Sequence, residues 1–163
     1  MIKTKQELFE AMDDIGLPTS LRKIWDGDIP KPFSWQLEDP TEFFDDMQNS
    51  PQDFPSPDEL LILWGTNGES LVGYLPESGV FIRYYVEDSP DEFQVLGTTY
   101  QQAISEKFAS FVMQGVDDQV LRECAEFLEF QYYDEIKEFV NSEQDWVDNT
   151  AAFIAELEKR QES

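Results

Sequence analysis

The stretch ELLILWGTNGESLVGYLPESGVFIRYYVED, residues 59–88, limits the possible folds of this chain more than any other. LLILW (60–64) is continuously apolar, the pattern of a central strand buried on both faces. Asn67-Gly68 comes next. A type I′ turn needs positive φ at both central residues, which this pair tolerates, so the chain is predicted to reverse there. SLVGYL forms the second strand and PESG turns the chain again. VFIRYYV (80–86) sets Val80, Ile82, Tyr84 and Val86 against Phe81, Arg83 and Tyr85 in strict alternation. The acidic turn EDSPDE then leads into FQVLG (93–97), which completes an antiparallel meander of four strands.

Helical spacing governs both flanks. TKQELFEAMDDI (4–15) places Leu8, Phe9, Met12 and Ile15 on one face, with capping-box spacing from Thr4 to Glu7, and Gly16 and Pro18 end the helix. TSLRKIW (19–25) fits a short second helix with Leu21, Ile24 and Trp25 inward. IPKPFSWQLEDPTEFF is broken by prolines, with one or two helical turns at 41–48. PQDFPSPD (51–58) is expected to run extended over the surface. After the sheet, Thr98 or Thr99 caps a helix over 100–114 carrying Ile104, Phe108, Phe111 and Val112, and Gly115 ends it. Asp117 starts another, striped by Val120, Leu121, Cys124, Phe127 and Leu128. A last helix is expected over 134–160, with Ile136, Phe139, Val140, Trp146, Val147, Phe153, Ile154 and Leu157 in register. The fold class is therefore α+β: N-terminal helices, a four-stranded antiparallel meander, and C-terminal helices packed on it. The 163 residues suit a single domain, 1–163, with a core at about 5–115 and a helical extension at about 117–161.

Charge is the outlying quantity. Thirty-five acidic residues face 11 basic ones, a formal net charge of -24. Such a field repels nucleic-acid backbones and anionic membranes and speeds encounter with basic proteins by roughly 10- to 1,000-fold. Acidity also serves solubility alone, so the total by itself names no function. One cysteine, Cys124, precludes an intrachain disulfide. The N-terminus MIKTKQELFEAMDD lacks a secretory h-region, and no run of about 18 apolar residues occurs, so a cytoplasmic protein is expected.

Missing residue types exclude much chemistry. Without histidine there is no Ser-His-Asp or Cys-His nucleophile system and no histidine-bearing zinc site. Neither GxGxxG nor GxxxxGK[ST] occurs. Acid pairs such as Asp45/Asp46, Asp117/Asp118 and Asp134/Glu135 lie in turns and helix starts, where they meet water rather than each other across a glycosidase cleft. DGD (26–28) and DDMQNS (45–50) lack EF-hand spacing. Cys124, in an apolar stripe beside Glu123 and Glu126, is expected to be packed and inert. Trp25, Trp64 and Trp146 fall on core faces. No catalytic residue, cofactor or metal is assigned, and the chain is read as no enzyme.

The distribution of charge is more informative than its sum. From Pro32 through Ile82 there is no Lys or Arg, while Glu38, Asp39, Glu42, Asp45, Asp46, Asp53, Asp58, Glu59, Glu69 and Glu77 all occur. If the 38–58 segment packs beside the meander, these acids and the 87–92 turn make one negative rim. Trp35, in the loop FSWQLEDP, is suited to Lys or Arg side chains through cation–π contact. The candidate partner-binding residues are Trp35, Glu38, Asp39, Asp45, Asp46, Glu69, Asp88, Asp91 and Glu92. A competing face is 117–138, where eight acids accompany Arg122 and Lys137.

The order of features resembles the SUKH superfamily, which includes bacterial immunity proteins and a fungal regulator of cell-wall synthesis. The resemblance rests on IGLPTSLRKIWDGD (15–28), LLILWGTNG, the Gly73-Tyr74 strand, VFIRYY and the helix TTYQQAISEKFASFV, over residues 5 to about 115. The proline-rich acidic excursion after the second helix and the added C-terminal helices depart from the family pattern. The resemblance implies a protein-binding module with no catalytic motif. On that basis the chain is expected to be an immunity protein that neutralises a basic toxin, such as a nuclease, by occupying its active cleft with an acidic surface. The other expectation is an intracellular regulatory or scaffold protein of the same fold with no toxin partner.

Overall fold

The computed structural model of the chain describes residues 1–142 and 145–162, apart from the side chain of Trp35. Three helices come first: α1 (Lys5–Asp14), α2 (Leu21–Trp25) and α3 (Thr41–Asn49). Strands β1 (Leu61–Thr66), β2 (Ser70–Leu75), β3 (Val80–Tyr85) and β4 (Gln94–Gly97) form one antiparallel sheet in the order β1-β2-β3-β4. Helices α4 (Tyr100–Met113), α5 (Asp118–Phe127), α6 (Tyr133–Ser142) and α7 (Thr150–Glu162) follow. The architecture is α+β, with helices before and after a meander. Two compact units divide the chain, Met1–Val95 and Leu96–Ser163. Among the described residues no helix is long and apolar enough to cross a membrane.

In the first unit the Asn67-Gly68 turn forms as its residues dictate. Both have positive φ, 54° and 67°, and the Glu69 amide closes the turn on the Thr66 carbonyl at 3.1 Å. Register pairs Leu71 with Tyr84, Gly73 with Ile82 and Leu75 with Val80, so one sheet face carries Leu71, Leu75, Ile82 and Tyr84. Phe43 and Met47 of α3, with Phe54, Leu60 and Ile62, complete the cluster on that face. Gly65 permits the approach of α3, because a Cβ there would lie 2.8 Å from the Phe43 ring. Gly65→Ala is therefore expected to destabilise by about 1–3 kcal/mol through overpacking, read from the urea midpoint. A cost below about 0.5 kcal/mol would mean that Phe43 swings aside freely.

The first unit departs from the sequence pattern in two places. LLILW has the pattern of a central strand, yet β1 stands at the end of the sheet order. A bulge explains its apolar run. Ile62 pairs with Gly73 but Trp64 with Val72, so the register shift sends these two large side chains to opposite faces, and both faces are covered. Hydrophobicity reports covered faces, not a second hydrogen-bonding neighbour. The outer edge of β1 is clipped instead by Glu38, whose amide and carbonyl bond to Gly65 at 2.8 and 2.9 Å. The other departure concerns PQDFPSPD. It does not run extended over the surface: Pro51–Asp53 forms a 3₁₀ turn, and Phe54 is buried with its ring 6.2 Å from that of Tyr84.

In the second unit Thr99 caps α4, its hydroxyl accepting from the Gln102 amide. Helix α4 packs on α6 and α7. Phe108 stacks on Phe130 with centroids 4.5 Å apart, and the buried Tyr100 hydroxyl donates to the Leu128 carbonyl at 2.8 Å. The single helix expected over 134–160 is two helices. NSEQD (141–145) sets five polar residues in a row between Val140 and Trp146, which no amphipathic stripe survives. Helix α6 ends at Ser142 and α7 starts at Thr150, and Phe139 of α6 and Phe153 of α7 stack at 4.3 Å and 6°. Val147, expected on the stripe, is 56% exposed. Glu143 and Gln144, within that expected helix, lie outside the described residues.

Burial also sets a pH response. It pushes the phenols of Tyr84, Tyr100 and Tyr132 above their ordinary value of 10.0, Tyr133 to about 12, and the Cys124 thiol to about 11. The unfolded chain therefore loses these protons first. Their contribution to stability is complete below about pH 9 and is lost as pH rises through the folded values. Urea unfolding is expected to give a falling midpoint between about pH 9 and pH 12. A flat profile across that window would show that the phenols ionise as readily folded as unfolded.

Candidate protein-docking face

Six of the ten acids of the cation-poor interval are carried by three adjoining pieces of the first unit. One is the strip at Glu38–Asp39, held to β1 by the Glu38–Gly65 bridge and by the Thr66 hydroxyl, which donates to the Gln36 carbonyl at 2.8 Å. Another is α3. The Asp39 carboxylate accepts from the Thr41 amide at 3.0 Å and from the Thr41 hydroxyl, fixing the entry to that helix. Glu42, Asp46 and Asn49 then share one helical face, while Phe43 and Met47 turn to the core. The third is the Pro51–Asp53 turn, pinned by Phe54.

Together these pieces wall a depression of about 330 Å³ lined by Glu38, Asp39, Glu42, Asp46 and Asp53, with Phe43 and Phe54 at its floor. A second depression, also about 330 Å³, adjoins it and shares Gly68 and Val86. Its acids are Glu69, Glu87 and Asp88. Five carboxylates in one and three in the other make eight, and among the described lining residues there is no Lys or Arg. Tyr85 and Val86, 44% and 40% exposed, place apolar surface inside this acidic frame. No group of three acidic or thiol side chains among the described residues is arranged to hold a metal ion. The charges are spread over walls, not focused on a point.

The structure brings together Glu38, Asp39 and Asp46 in the first depression and Glu69 and Asp88 in the second. Asp45 is exposed on α3 but turned about 100° from Asp46, and it lines neither. Asp91 and Glu92 are exposed in the turn before β4, outside both linings. The side chain of Trp35 lies outside the described residues. Glu42, Asp53 and Glu87, which the sequence places in the acidic rim but not among the candidate binding residues, also line the depressions. Glu42 had a signal, since it stands one helical turn before Asp46. Asp58, Glu59 and Glu77 line neither depression, and the Glu59 carboxylate accepts from the Glu77 amide at 2.8 Å.

One buried residue links the two walls. Tyr84 is 1% exposed, and its Oη lies 2.8 Å from the Asp53 carbonyl and 2.9 Å from the Asp88 carbonyl. Burial, then the charges of Asp53 and Asp88, raise its pKa, so it remains a donor at neutral pH.

The competing face at 117–138 has a different character, because both of its cations are paired with its own acids. Asp118 accepts from Lys137 at 2.9 Å, Arg122 at 2.8 Å and the Tyr133 hydroxyl at 2.9 Å. These bonds hold its carboxyl far below the ordinary range. Arg122 also pairs with Asp134 at 2.8 Å and stacks 5.1 Å from the Tyr133 ring centroid. A cationic partner would have to displace Arg122 or Lys137 to reach Asp118 or Asp134. Comparison of the chain with protein-family models, with curated proteins and with solved structures finds no match.

Proposed function

We propose that this chain is a non-catalytic binding module that docks a basic protein on the two adjoining acidic depressions of its first unit. The observation that carries this reading is the set of eight carboxylates on neighbouring walls with no cation among the described lining residues. Such a surface attracts a positively charged partner over roughly a Debye length, about 8 Å at physiological salt. Exposed Tyr85 and Val86 add the apolar contact that electrostatic steering alone lacks.

The resemblance to the SUKH superfamily sharpens the proposal to an immunity protein. A nuclease toxin presents a basic cleft shaped for phosphates, and a surface of carboxylates fills it by imitating the substrate's charge. The chain blocks that cleft and breaks no bond itself.

The test is co-expression with the product of an adjacent toxin-like reading frame, followed by stopped-flow association at increasing salt. The expected result is a stoichiometric complex that neutralises the partner and forms more slowly as salt rises. A partner bound without loss of its activity would replace the immunity reading with the regulatory one. Binding that ignores salt, or that is lost only when the 117–138 acids are reversed, would overturn the docking face.

A further inference from the structure

We infer that the Tyr84 hydroxyl is a latch that holds the two acidic depressions side by side as one preformed face. The ring cannot move away, since it is buried against Phe54 in the sheet core. Its Oη reaches two segments 35 positions apart in sequence, at Asp53 and at Asp88. Asp53 belongs to the wall of the first depression and Asp88 to the wall of the second. Both acceptors are main-chain carbonyls, so the latch fixes the walls while leaving the carboxylates to the surface. A phenol has one proton, so the hydroxyl shares it between the two carbonyls.

The tie joins two segments of like charge. Asp53 on one side and Glu87 and Asp88 on the other carry like charge, with no Lys or Arg among the described lining residues to screen them. Without a donor between them, repulsion would part the segments and a partner would have to close them again on binding. Tyr84 is thus a positioning residue: it touches no partner, and it spares the complex the cost of ordering its own docking face.

The latch is tested in the full chain without a partner. Tyr84→Phe keeps the ring in the core, and both orphaned carbonyls belong to exposed residues that water can reach, so the fold is retained. Hydrogen exchange is expected to quicken about fivefold at the amides of Asp53, Phe54 and Asp88, which now sit in turns closed only by local bonds. Amides of β1 and β2 should stay within about twofold of wild type. The difference between variant and wild type should shrink when NaCl is raised from about 20 to about 500 mM, because screening weakens the repulsion. Adding Asp53→Asn and Asp88→Asn to the Tyr84→Phe chain should restore most of the protection.

Unchanged exchange at the three amides would overturn the latch. So would a loosening spread evenly over the sheet, or one indifferent to salt and to the Asn substitutions, since plain loss of a structural bond behaves that way. The use of this face for binding rests on the proposed function, whereas the latch does not. A failed exchange experiment leaves the docking reading standing, and a failed binding experiment leaves the latch standing.

Discussion

Reversing Asp46, Glu69 and Asp88 together to lysine is expected to slow association with the basic partner by roughly 10- to 1,000-fold at low ionic strength. Those three positions sample both depressions, and all three are exposed, so the substitutions should leave the unfolding midpoint nearly unchanged. Net charge moves from -24 to -18, because each reversal adds two units. A control of equal size is Glu123, Glu126 and Glu138 to lysine, on α5 and α6. If the total charge alone steered the encounter, both triple variants would lose the same rate. If the walls steer it, the control should stay within about threefold of wild type. Equal losses in the two variants would reduce the acidity to solubility and long-range attraction, and the docking face would be abandoned.

This contrast shows how much of the site could be read from the residues. The absence of Lys and Arg from 32 through 82 is a property of the string, and it marks the interval that supplies six of the eight lining acids. Which acids converge depends on geometry that composition does not carry. Asp45 and Asp46 are neighbours in sequence but differ by a helical turn angle, and only Asp46 faces the depression. Glu42, further away in sequence, is closer in direction. Arg122 and Lys137 look like two isolated cations in an acidic segment until the fold places both on Asp118.

The fold shows the same division. Local rules sufficed where one or two residues decide the backbone, as at Asn67-Gly68, at the Thr4 and Thr99 caps and at the Asp117 cap. They failed where a long-range contact decides. The edge position of β1 is invisible in LLILW because burial there comes from the two faces, which the bulge at Ile62–Trp64 serves in turn. The sequence between α6 and α7 carries no Pro or Gly, and the Phe139–Phe153 stack that joins the two helices is a long-range contact. Phe54, among three prolines, reads as connector until its burial is seen.

That last residue carries the largest expected loss of stability. Phe54→Ala should cost about 3–5 kcal/mol, the range for emptying an aromatic side chain from a packed site. The ring is 6% exposed and belongs to the cluster of Phe43, Met47, Leu71, Ile82 and Tyr84, none of which can follow it without leaving its own strand or helix. Phe54→Leu keeps much of the volume and should recover more than half of the loss. The position also supports the site, for Phe54 adjoins the Asp53 carbonyl on which the Tyr84 hydroxyl rests. Removal of the ring should therefore loosen the Pro51–Asp53 turn as well as the core, and hydrogen exchange at Asp53 should rise by more than global unfolding accounts for. Urea unfolding of the two variants measures the first effect. A cost below about 1 kcal/mol for the alanine would mean that the connector merely lies over the sheet, and that the acidic wall it carries is held by something other than packing.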